Sequence, residues 1–254
     1  MFVKPSFKDN FSKQSDIYLK YRPTYPTELF EYLSKLTPEH DLAWDCGTGN
    51  GQAAIGLTKF YKNIYASDPS DDQIKNALPN GKITYRVEKA ENPTLKNNSV
   101  DLITVAQALH WFEFDKFYQE ANRVLKVNGV IAVWAYKLPS ITHEIDKIIK
   151  YFHNEVVGEF WQQENRLVEK KYRTIPFPFE ELPAPEFRIE KSLSLTELTG
   201  LIQSWSAVQR FIQKNRKDPI PKLKEELASC WDQHFRKKIT WKLALKVGKS
   251  NFHY

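Results

Sequence analysis

The first half of the chain alternates between short apolar segments and segments whose apolar residues recur at helical spacing. This pattern predicts strands separated by helices. The predicted strands are 42–44, 63–68, 83–87, 100–106 and 130–135. The predicted helices are 27–36 with Thr27 as N-cap, 52–60, one that a Ser70/Gln73 capping-box pattern begins, and 114–126, stopped by Asn128-Gly129. Such alternation favours a mostly parallel sheet with helices on both faces.

The pattern changes beyond residue 137. Residues 140–172 predict helix, and four prolines then interrupt regular structure. Further along, the pattern predicts a strand at 187–190, helices at 195–214 and 219–236, and a last strand at 239–247. We therefore expect a helical region followed by a return to the sheet.

A glycine-rich turn joins the first predicted strand to its helix. Gly47, Gly49 and Gly51 have no Cβ, so the backbone there can approach a ligand closely. The dinucleotide fingerprint would need glycine at position 52, which is Gln52, and no Gly-Lys-Ser/Thr sequence follows for a P-loop. The turn also has Asp45 nearby, whose carboxylate opposes a pyrophosphate and favours a cationic ligand.

The sequence Asp45-x-Gly47-x-Gly49-x-Gly51 resembles the first motif of the class I S-adenosylmethionine-dependent methyltransferases. S-adenosylmethionine carries a sulfonium and an ammonium group and no phosphate. The resemblance therefore implies this cofactor, S-adenosylhomocysteine as its product, and no metal. A glycine-rich surface turn without a ligand remains the alternative.

The resemblance also implies which residues surround the cofactor. Asp68 ends the second strand, where an acid reaches the ribose hydroxyls, although a surface acid before a helix is the alternative. Ala90 and Glu91 follow the third strand and would hold the adenine, unless Glu91 is solvated. The full implied set is Tyr18, Arg22, Asp45, Gly47, Thr48, Gly49, Gly51, Asp68, Pro69, Ala90, Glu91, Gln107 and Ala108.

The segment after the fourth strand faces the transferred methyl group in that family. Here it contains His110, which could act as a general base, donate to a substrate carboxylate, or be a buried structural histidine. Trp111 could line the site, contact the sulfonium through its ring, or pack beneath the sheet. Both residues are candidates for substrate contact, and His110 is the candidate catalytic residue.

A wider resemblance covers nearly the whole chain. Residues 18–26, 106–112 and 205–209 together look like the trans-aconitate methyltransferase-like branch of the methyltransferase type 11 superfamily. That branch implies that Arg22 lies near a carboxylate of the cofactor or substrate, and that Trp205 lies in the acceptor pocket. It also implies a Rossmann-like seven-stranded sheet in the order 3-2-1-4-5-7-6 with the last strand antiparallel.

We accordingly expect a single class I methyltransferase domain over residues 1–254. Its predicted parts are a cofactor-covering segment at 1–26, a cofactor-binding core at 27–137, a helical substrate cap at 138–236 that includes strand six near 187–193, and the last strand and tail at 237–254.

Composition adds to this interpretation only modestly. The 254 residues are 41% hydrophobic, typical of a folded protein. The two cysteines, Cys46 and Cys230, form no disulfide framework, and Cys46 is either a reactive thiol or a small packed side chain. Neither a signal peptide nor an apolar run of membrane-spanning length is visible, so we expect a cytoplasmic protein without membrane insertion.

The formal net charge is +6, with basic residues concentrated at 214–217 and 236–238. These could contact nucleic acid or attract anionic small substrates, or they could be solvated faces of helices. The leading hypothesis is a methyltransferase acting on a small molecule, preferably a carboxylic acid, as a monomer or homodimer. Methylation of RNA or another macromolecule, and a non-catalytic cofactor-binding scaffold, are the alternatives.

Overall fold

The computed structural model describes residues 23–232 and 234–250, so Tyr18 and Arg22 lie outside the described residues. The helices are α1 (Thr27–Leu36), α2 (Gln52–Leu57), α3 (Asp71–Lys75), α4 (Phe114–Val124), α5 (His143–Tyr151), α6 (Asn165–Glu169), α7 (Leu195–Gln203), α8 (Ser206–Asn215) and α9 (Ile220–Ala228). The strands are β1 (Leu42–Cys46), β2 (Asn63–Asp68), β3 (Ile83–Val87), β4 (Val100–Ala106), β5 (Leu125–Tyr136), β6 (Glu180–Leu182), β7 (Arg188–Leu193) and β8 (Lys237–Lys249).

The strands form one sheet in the order β3-β2-β1-β4-β5-β8-β6, with β7 also paired to β8. The pairs among β1 to β5 are parallel, and β8 runs antiparallel to each of its neighbours. The predicted Rossmann-like fold, including its strand order and antiparallel last strand, is confirmed. The short strand β6 was not predicted, because its three residues give too little alternation to distinguish it from a loop.

Side chains of the central strands alternate between the faces of the sheet and build a core on each. In β5, one core contains Val130, Ala132 and Trp134, and the other contains Ile131, Val133 and Ala135. Helices α1, α2, α5, α7, α8 and α9 cover the first core, and α4 covers the second together with Tyr172, Ile175 and Phe179. This burial on both faces explains the continuous apolar run at 130–135 in β5.

Some predicted boundaries were wrong. Pro26, not Thr27, occupies the N-cap position of α1 and makes no side-chain capping bond. Helix α4 ends at Val124, because Leu125 leaves it to pair with Val100 at the start of β5. Lys126 then lies in the strand and forms an ion pair with buried Asp101 at 2.8 Å. A tertiary pairing thus overrides the local helical pattern.

The region predicted to be helical over 140–172 contains α5, a π-helical turn at Phe152–Val156, a 3-10 turn at Gly158–Phe160 and α6. Likewise 195–214 is divided into α7 and α8. The Ser204 hydroxyl donates to the Leu201 carbonyl at 2.6 Å, and Trp205 turns to extended backbone. The predicted helix 219–236 is shorter, since α9 ends at Ala228. Among the described residues, no helix is long and apolar enough to cross a bilayer.

Candidate functional site

The glycine turn adopts backbone conformations that only glycine takes readily. Gly47, Gly49 and Gly51 have φ of 69°, 55° and 86°. A Cβ at Gly47 would lie 2.5 Å from the Ala108 Cβ, and one at Gly51 would lie 2.2 Å from the Tyr85 hydroxyl. At Gly49 the nearest atom to such a Cβ is the side-chain oxygen of Gln73, at 3.7 Å. Gly49 is therefore the glycine of the turn at which a Cβ would make only an ordinary van der Waals contact.

Asp45 holds the turn from beneath. One carboxylate oxygen accepts from the Thr48 hydroxyl at 2.5 Å and from the Ala54 amide at 3.0 Å. The other accepts from the Thr104 hydroxyl of β4 at 2.8 Å. Burial raises the pKa of Asp45 to about 6, against the lowering effect of these hydrogen bonds. The carboxylate thus organises the turn, and its charge is sensitive to mildly acidic pH.

The backbone amides of the turn are not arranged to bind an anion. The amides of Gly47 and Thr48 both donate to the Ser67 carbonyl, at 2.8 and 2.9 Å. The Gly49 amide donates to the Asp68 carboxylate at 2.9 Å. In phosphate-binding loops such amides point to the ligand instead. Amides satisfied within the chain, beside two carboxylates, suit a ligand without phosphate.

Asp68 links the end of β2 to the glycine turn. Its second oxygen accepts from the Ser70 amide at 2.9 Å, and the Ser70 hydroxyl accepts from the Gln73 amide to cap α3. Pro69 between them is half-buried. The sequence-predicted residues Asp45, Gly49 and Asp68 therefore meet at the carboxyl edge of β1 and β2, as expected for adjacent parallel strands.

Ala90 and Glu91 lie past the end of β3. Ala90 is buried, and the Glu91 carboxylate accepts from the Glu113 amide at 2.7 Å, where α4 begins. Glu91 is therefore tied to the start of α4, which the sequence did not indicate. Its predicted contact with adenine stays a prediction.

Gln107 and Ala108 form the corner after β4. Gln107 has a φ of 58°, a strained value for a residue with a side chain. Its amide donates to the Trp134 carbonyl at 2.9 Å, and its side chain donates to the Tyr136 carbonyl at 3.0 Å. Ala108 is buried against Gly47. This corner joins the glycine turn to a neighbouring cavity, which Gln107 also lines.

The cavity of about 420 Å³ lies between the ends of β4 and β5 and the 138–236 insertion. The sequence-predicted residues His110, Trp111 and Trp205 all line it. The other lining residues are Tyr136, Lys137, Leu138, Pro139, Lys150, His153, Asn154, Trp161, Asn165, Val168, Glu169, Leu201, Ser206 and Trp241. Its walls thus combine aromatic rings with two lysines.

Three rings from the insertion form an aromatic cluster on one wall. His153 lies 4.8 Å from Trp161 and 5.8 Å from Trp205, and the two tryptophans are 5.9 Å apart. Trp205 is at the N-cap position of α8, where the break after α7 turns the chain. The placement of Trp205 depends on that break, which helical periodicity did not reveal.

His110 lies in a 3-10 turn, Leu109–Trp111, with 7% of its surface exposed. Its ring is 4.7 Å from that of Trp111, and its Nδ1 is 2.9 Å from the Tyr172 hydroxyl. Burial lowers the pKa of His110 to about 3, so the imidazole is neutral at pH 7. A conjugate acid this strong makes His110 a poor general base.

Sequence reasoning missed Lys137, Lys150, Trp161 and Tyr172 at this site. They lie in a region whose sequence has no glycine motif, and they meet only through tertiary packing. Cys46 is buried, and burial raises the pKa of its thiol, which favours the packed side chain over the reactive thiol.

Comparison with known proteins identifies the family. The sequence profile described as Methyltransferase domain matches residues 44–133, which include the glycine turn and β2 to β5 up to Val133. A Dictyostelium discoideum protein named as a methyltransferase is 36% identical over 229 residues, 89% of this chain and 87% of that protein. The chain belongs to the class I S-adenosylmethionine-dependent methyltransferases.

Two further similarities extend over most of this methyltransferase. A Saccharomyces cerevisiae protein named as an S-adenosylmethionine-dependent methyltransferase is 22% identical over 91% of this chain and 94% of that protein. The solved structure of a protein named a type II methyltransferase, from Anaeromyxobacter dehalogenans, matches with a TM-score of 0.86 at 35% identity, covering 92% of this chain and 100% of that one. The shared fold therefore includes the insertion as well as the core.

The residues at the glycine turn fit the family's cofactor. The missing side chain of Gly49, the internally bonded amides and the two carboxylates suit a phosphate-free cation. The side-chain nitrogen of Asn50, buried in the same turn, has no hydrogen-bond partner among the residues the structure describes. A buried donor of this kind is typical of a site that a ligand completes. When bound, the cofactor supplies a methyl group activated by its sulfonium.

Proposed function

We propose that this methyltransferase transfers a methyl group to a small-molecule carboxylic acid, as the trans-aconitate methyltransferase-like branch would. The supporting observation is the cavity beside the glycine turn. It reaches Gln107 and His110 after β4, and the insertion covers its other side. A volume of about 420 Å³ suits a small molecule, since ligand pockets are commonly 300–1,000 Å³.

The charge around the cavity supports an anionic acceptor. Lys137 and Lys150 line it, with Glu169 as the acidic residue among the lining groups. The pKa of Lys137 is lowered first by burial and then by the positive charge of Lys171, with Arg173 adding to the effect. An excess of positive charge at this mouth would attract carboxylates.

The low basicity of His110 supports a carboxylate over a hydroxyl or carbon acid. A hydroxyl must lose its proton during methyl transfer, whereas a carboxylate is already ionised at pH 7. His110, with a pKa lowered to about 3, would assist such deprotonation poorly. The chain's own task is then to orient the acceptor and exclude water, which can supply several kcal/mol. The bond formed joins the methyl carbon to a carboxylate oxygen and gives an ester.

A macromolecular acceptor has less support. Of the late basic residues, Arg236 pairs with Glu197, Lys238 with Glu190 and Lys214 with Glu159. Neighbouring acids thus interrupt the positive face that nucleic acid would need. We therefore prefer the small acid, and RNA is an outcome of the test.

The test is to incubate the protein with methyl-labelled S-adenosylmethionine and a panel of mono-, di- and tricarboxylic acids. The same acids as primary amides, and a tRNA-containing fraction, are run in parallel. We expect label that becomes organic-extractable and is released by mild alkali with the acids only. Label that precipitates with the tRNA fraction would overturn the small-acid proposal.

Two variants serve as a control for contamination and as a test of His110. Gly49→Val should abolish cofactor binding and all labelling, and so excludes methyl transfer by a contaminant. His110→Ala tests the role of the histidine, and we expect kcat within about threefold of the unchanged protein because no base is required. A loss of kcat by about a thousandfold would instead assign His110 as an essential base. Cofactor binding without label on any acceptor would indicate a scaffold.

A further inference from the structure

A buried hydrogen bond connects the insertion to the methyl-facing segment. The Tyr172 hydroxyl lies 2.9 Å from His110 Nδ1. Tyr172 is 1% exposed, and 62 positions separate the two residues. Both side chains are polar at their tips and removed from water, so each needs a partner for its polar atoms.

The direction of this hydrogen bond follows from the surroundings of the hydroxyl. Among the residues that the structure describes, His110 Nδ1 is the hydrogen-bond partner given for the Tyr172 hydroxyl. If the hydroxyl accepted from Nδ1, its own hydrogen would be buried without an acceptor, at a cost in free energy. Donation from the hydroxyl to Nδ1 satisfies both groups.

The backbone at Tyr172 is held in an unusual conformation. Lys171 and Tyr172 both have φ of 55°, a left-handed value that residues with side chains rarely adopt in succession. The strain is maintained by the amide of Lys171, which donates to the Val168 carbonyl at 2.8 Å, and that of Tyr172, which donates to the Leu167 carbonyl at 3.0 Å. Such strain is found where a side chain must be placed accurately.

We infer that Tyr172 is a positioning residue that fixes His110 as the tautomer protonated on Nε2. A neutral imidazole that accepts on Nδ1 must have its hydrogen on Nε2. Nε2 has no partner among the residues the structure describes, and His110 lines the acceptor cavity. His110 thus presents a fixed hydrogen-bond donor to the acceptor. The role of that donor rests on the proposed carboxylic-acid acceptor, whereas the tautomer itself does not.

The tautomer is measured first, because that measurement needs no acceptor. Long-range proton–nitrogen NMR of the protein labelled at its six histidines distinguishes protonated from unprotonated ring nitrogens. The His110 signals are assigned by their loss in His110→Gln. We expect hydrogen on Nε2 in the unchanged protein and a mixture of tautomers in Tyr172→Phe. Hydrogen on Nδ1 in the unchanged protein overturns the inference.

Tyr118→Phe is the matched control. Tyr118 is a neighbouring buried tyrosine whose hydroxyl has no hydrogen-bond partner among the described residues. Removing that hydroxyl should leave the His110 tautomer unchanged. A shift as large as that in Tyr172→Phe would mean that any loss of a buried hydroxyl disturbs the ring, and would overturn the specific role of Tyr172.

Kinetics with an acid acceptor test the donor itself. We expect Tyr172→Phe to raise the acceptor KM by about tenfold, with kcat and cofactor affinity within about twofold. His110→Gln retains a donor near Nε2 without needing Tyr172, so adding Tyr172→Phe to it should change KM by less than about twofold. An unchanged KM in Tyr172→Phe, or fully additive effects, overturns the assignment of Tyr172 to acceptor binding.

The two measurements separate this inference from the proposed function. If hydrogen lies on Nε2 and depends on Tyr172 but no acid is methylated, the positioning role stands and the proposed acceptor is wrong. If acids are methylated but the tautomer does not depend on Tyr172, the acceptor proposal stands and the positioning role is wrong.

Discussion

The cofactor side and the acceptor side of the site are built differently, although they meet at Gln107. The glycine turn is stabilised mostly from nearby in sequence, with Asp45 bonded to Thr48 and Ala54, three and nine positions away, although Thr104 of β4 also bonds to it from 59 positions away. The acceptor cavity joins residues far apart in sequence, such as His110 and Tyr172, at a separation of 62. In the first region, polar atoms form hydrogen bonds that stabilise the backbone of the turn. In the second region, aromatic rings and lysines line a cavity.

Because of this difference, we expect one part of the site to recognise the cofactor and the other to select the acceptor. A backbone held by its own hydrogen bonds tolerates few changes, because each lost bond leaves a buried polar group. Side chains that line a cavity can change with less effect on the fold. Variants on the two sides should therefore produce different kinetic defects.

The largest effect is expected from Gly49→Val on the cofactor side. A Cβ there would lie 3.7 Å from the Gln73 side-chain oxygen, and the branched side chain would extend further above the turn at a strained φ of 55°. We expect cofactor affinity to fall by more than about 100-fold, or about 3 kcal/mol, in isothermal titration calorimetry. Circular dichroism should show the fold retained.

The matched control for Gly49→Val is Gly81→Val. No atom lies within 4 Å of a Cβ at Gly81, which is on the opposite side of the βαβ unit from the turn, before β3. That variant should bind S-adenosylmethionine normally. Normal binding by Gly49→Val as well would show that the cofactor lies elsewhere.

Trp205→Ala should produce the largest defect on the acceptor side. It removes a ring from the cluster with His153 and Trp161, so the acceptor loses part of its apolar wall. We expect kcat/KM for the acceptor to fall by about 30-fold, which is typical of a central tryptophan. Cofactor affinity should stay within about twofold. Trp205→Phe, which retains a ring, should lose less, and an equal loss of cofactor affinity would contradict the separation of the two sides.

Lys150→Gln tests the charge of the cavity. Lys150 is exposed and lines the cavity at the end of α5, so its loss should weaken attraction of a carboxylate. We expect the acceptor KM to rise by about tenfold at low salt and by less at high salt, because salt screens exposed charges. Lys147→Gln is the control on the same helix, at a position that does not line the cavity. Equal effects of the two variants would indicate that the overall positive charge attracts the acceptor and that Lys150 has no specific role.

The smallest effect is the pH dependence of cofactor selectivity. Because the pKa of Asp45 is raised to about 6, its carboxylate becomes neutral as the pH falls through that value. S-adenosylmethionine has a cationic sulfonium that S-adenosylhomocysteine lacks. We expect affinity for the first relative to the second to fall by about fivefold, or about 1 kcal/mol, between pH 7.5 and pH 5. Asp45→Asn should remove this dependence, and a ratio that stays constant in the unchanged protein would show that Asp45 does not sense the sulfonium.

The same raised pKa has a consequence for stability. In the unfolded chain Asp45 protonates near its ordinary value of 3.8, below the value of about 6 in the folded protein. Folding therefore favours the protonated form. The contribution of Asp45 to the free energy of unfolding is therefore complete below pH 3.8, the pKa in the unfolded chain. It is lost as the pH rises through about 6, the pKa in the folded protein. Titration of the unfolding free energy should show a smaller change over this range in Asp45→Asn.

Much of the cofactor side could be predicted from the sequence. Strands β2, β3 and β4 have the predicted bounds, and Asp45, Gly49 and Asp68 come together because adjacent parallel strands end at one edge. What the sequence did not indicate is how they interact. Asp45 lies under the turn and not above it, and Glu91 is bonded to the start of α4. Those contacts depend on side-chain directions that spacing alone does not specify.

Less of the acceptor side could be predicted. The resemblance suggested Trp205 and His110, and both line the cavity, while their roles stay predictions. Helical periodicity failed over 140–172, where a π-turn and a 3-10 turn interrupt the pattern. Lys137, Lys150 and Tyr172 had no local signal, since an exposed lysine or a lone tyrosine in sequence is compatible with many environments.

Local features of the sequence predicted the alternation of strands and helices and the position of the glycine turn, because period, turn glycines and strand ends have a fixed geometric meaning. The order of the strands was implied by the family resemblance and not by these features. The lowered pKa of His110, its pairing with Tyr172 and the cavity beside them depend on tertiary packing. Burial and long-range contacts arise when distant segments pack together, and no short stretch of sequence contains them.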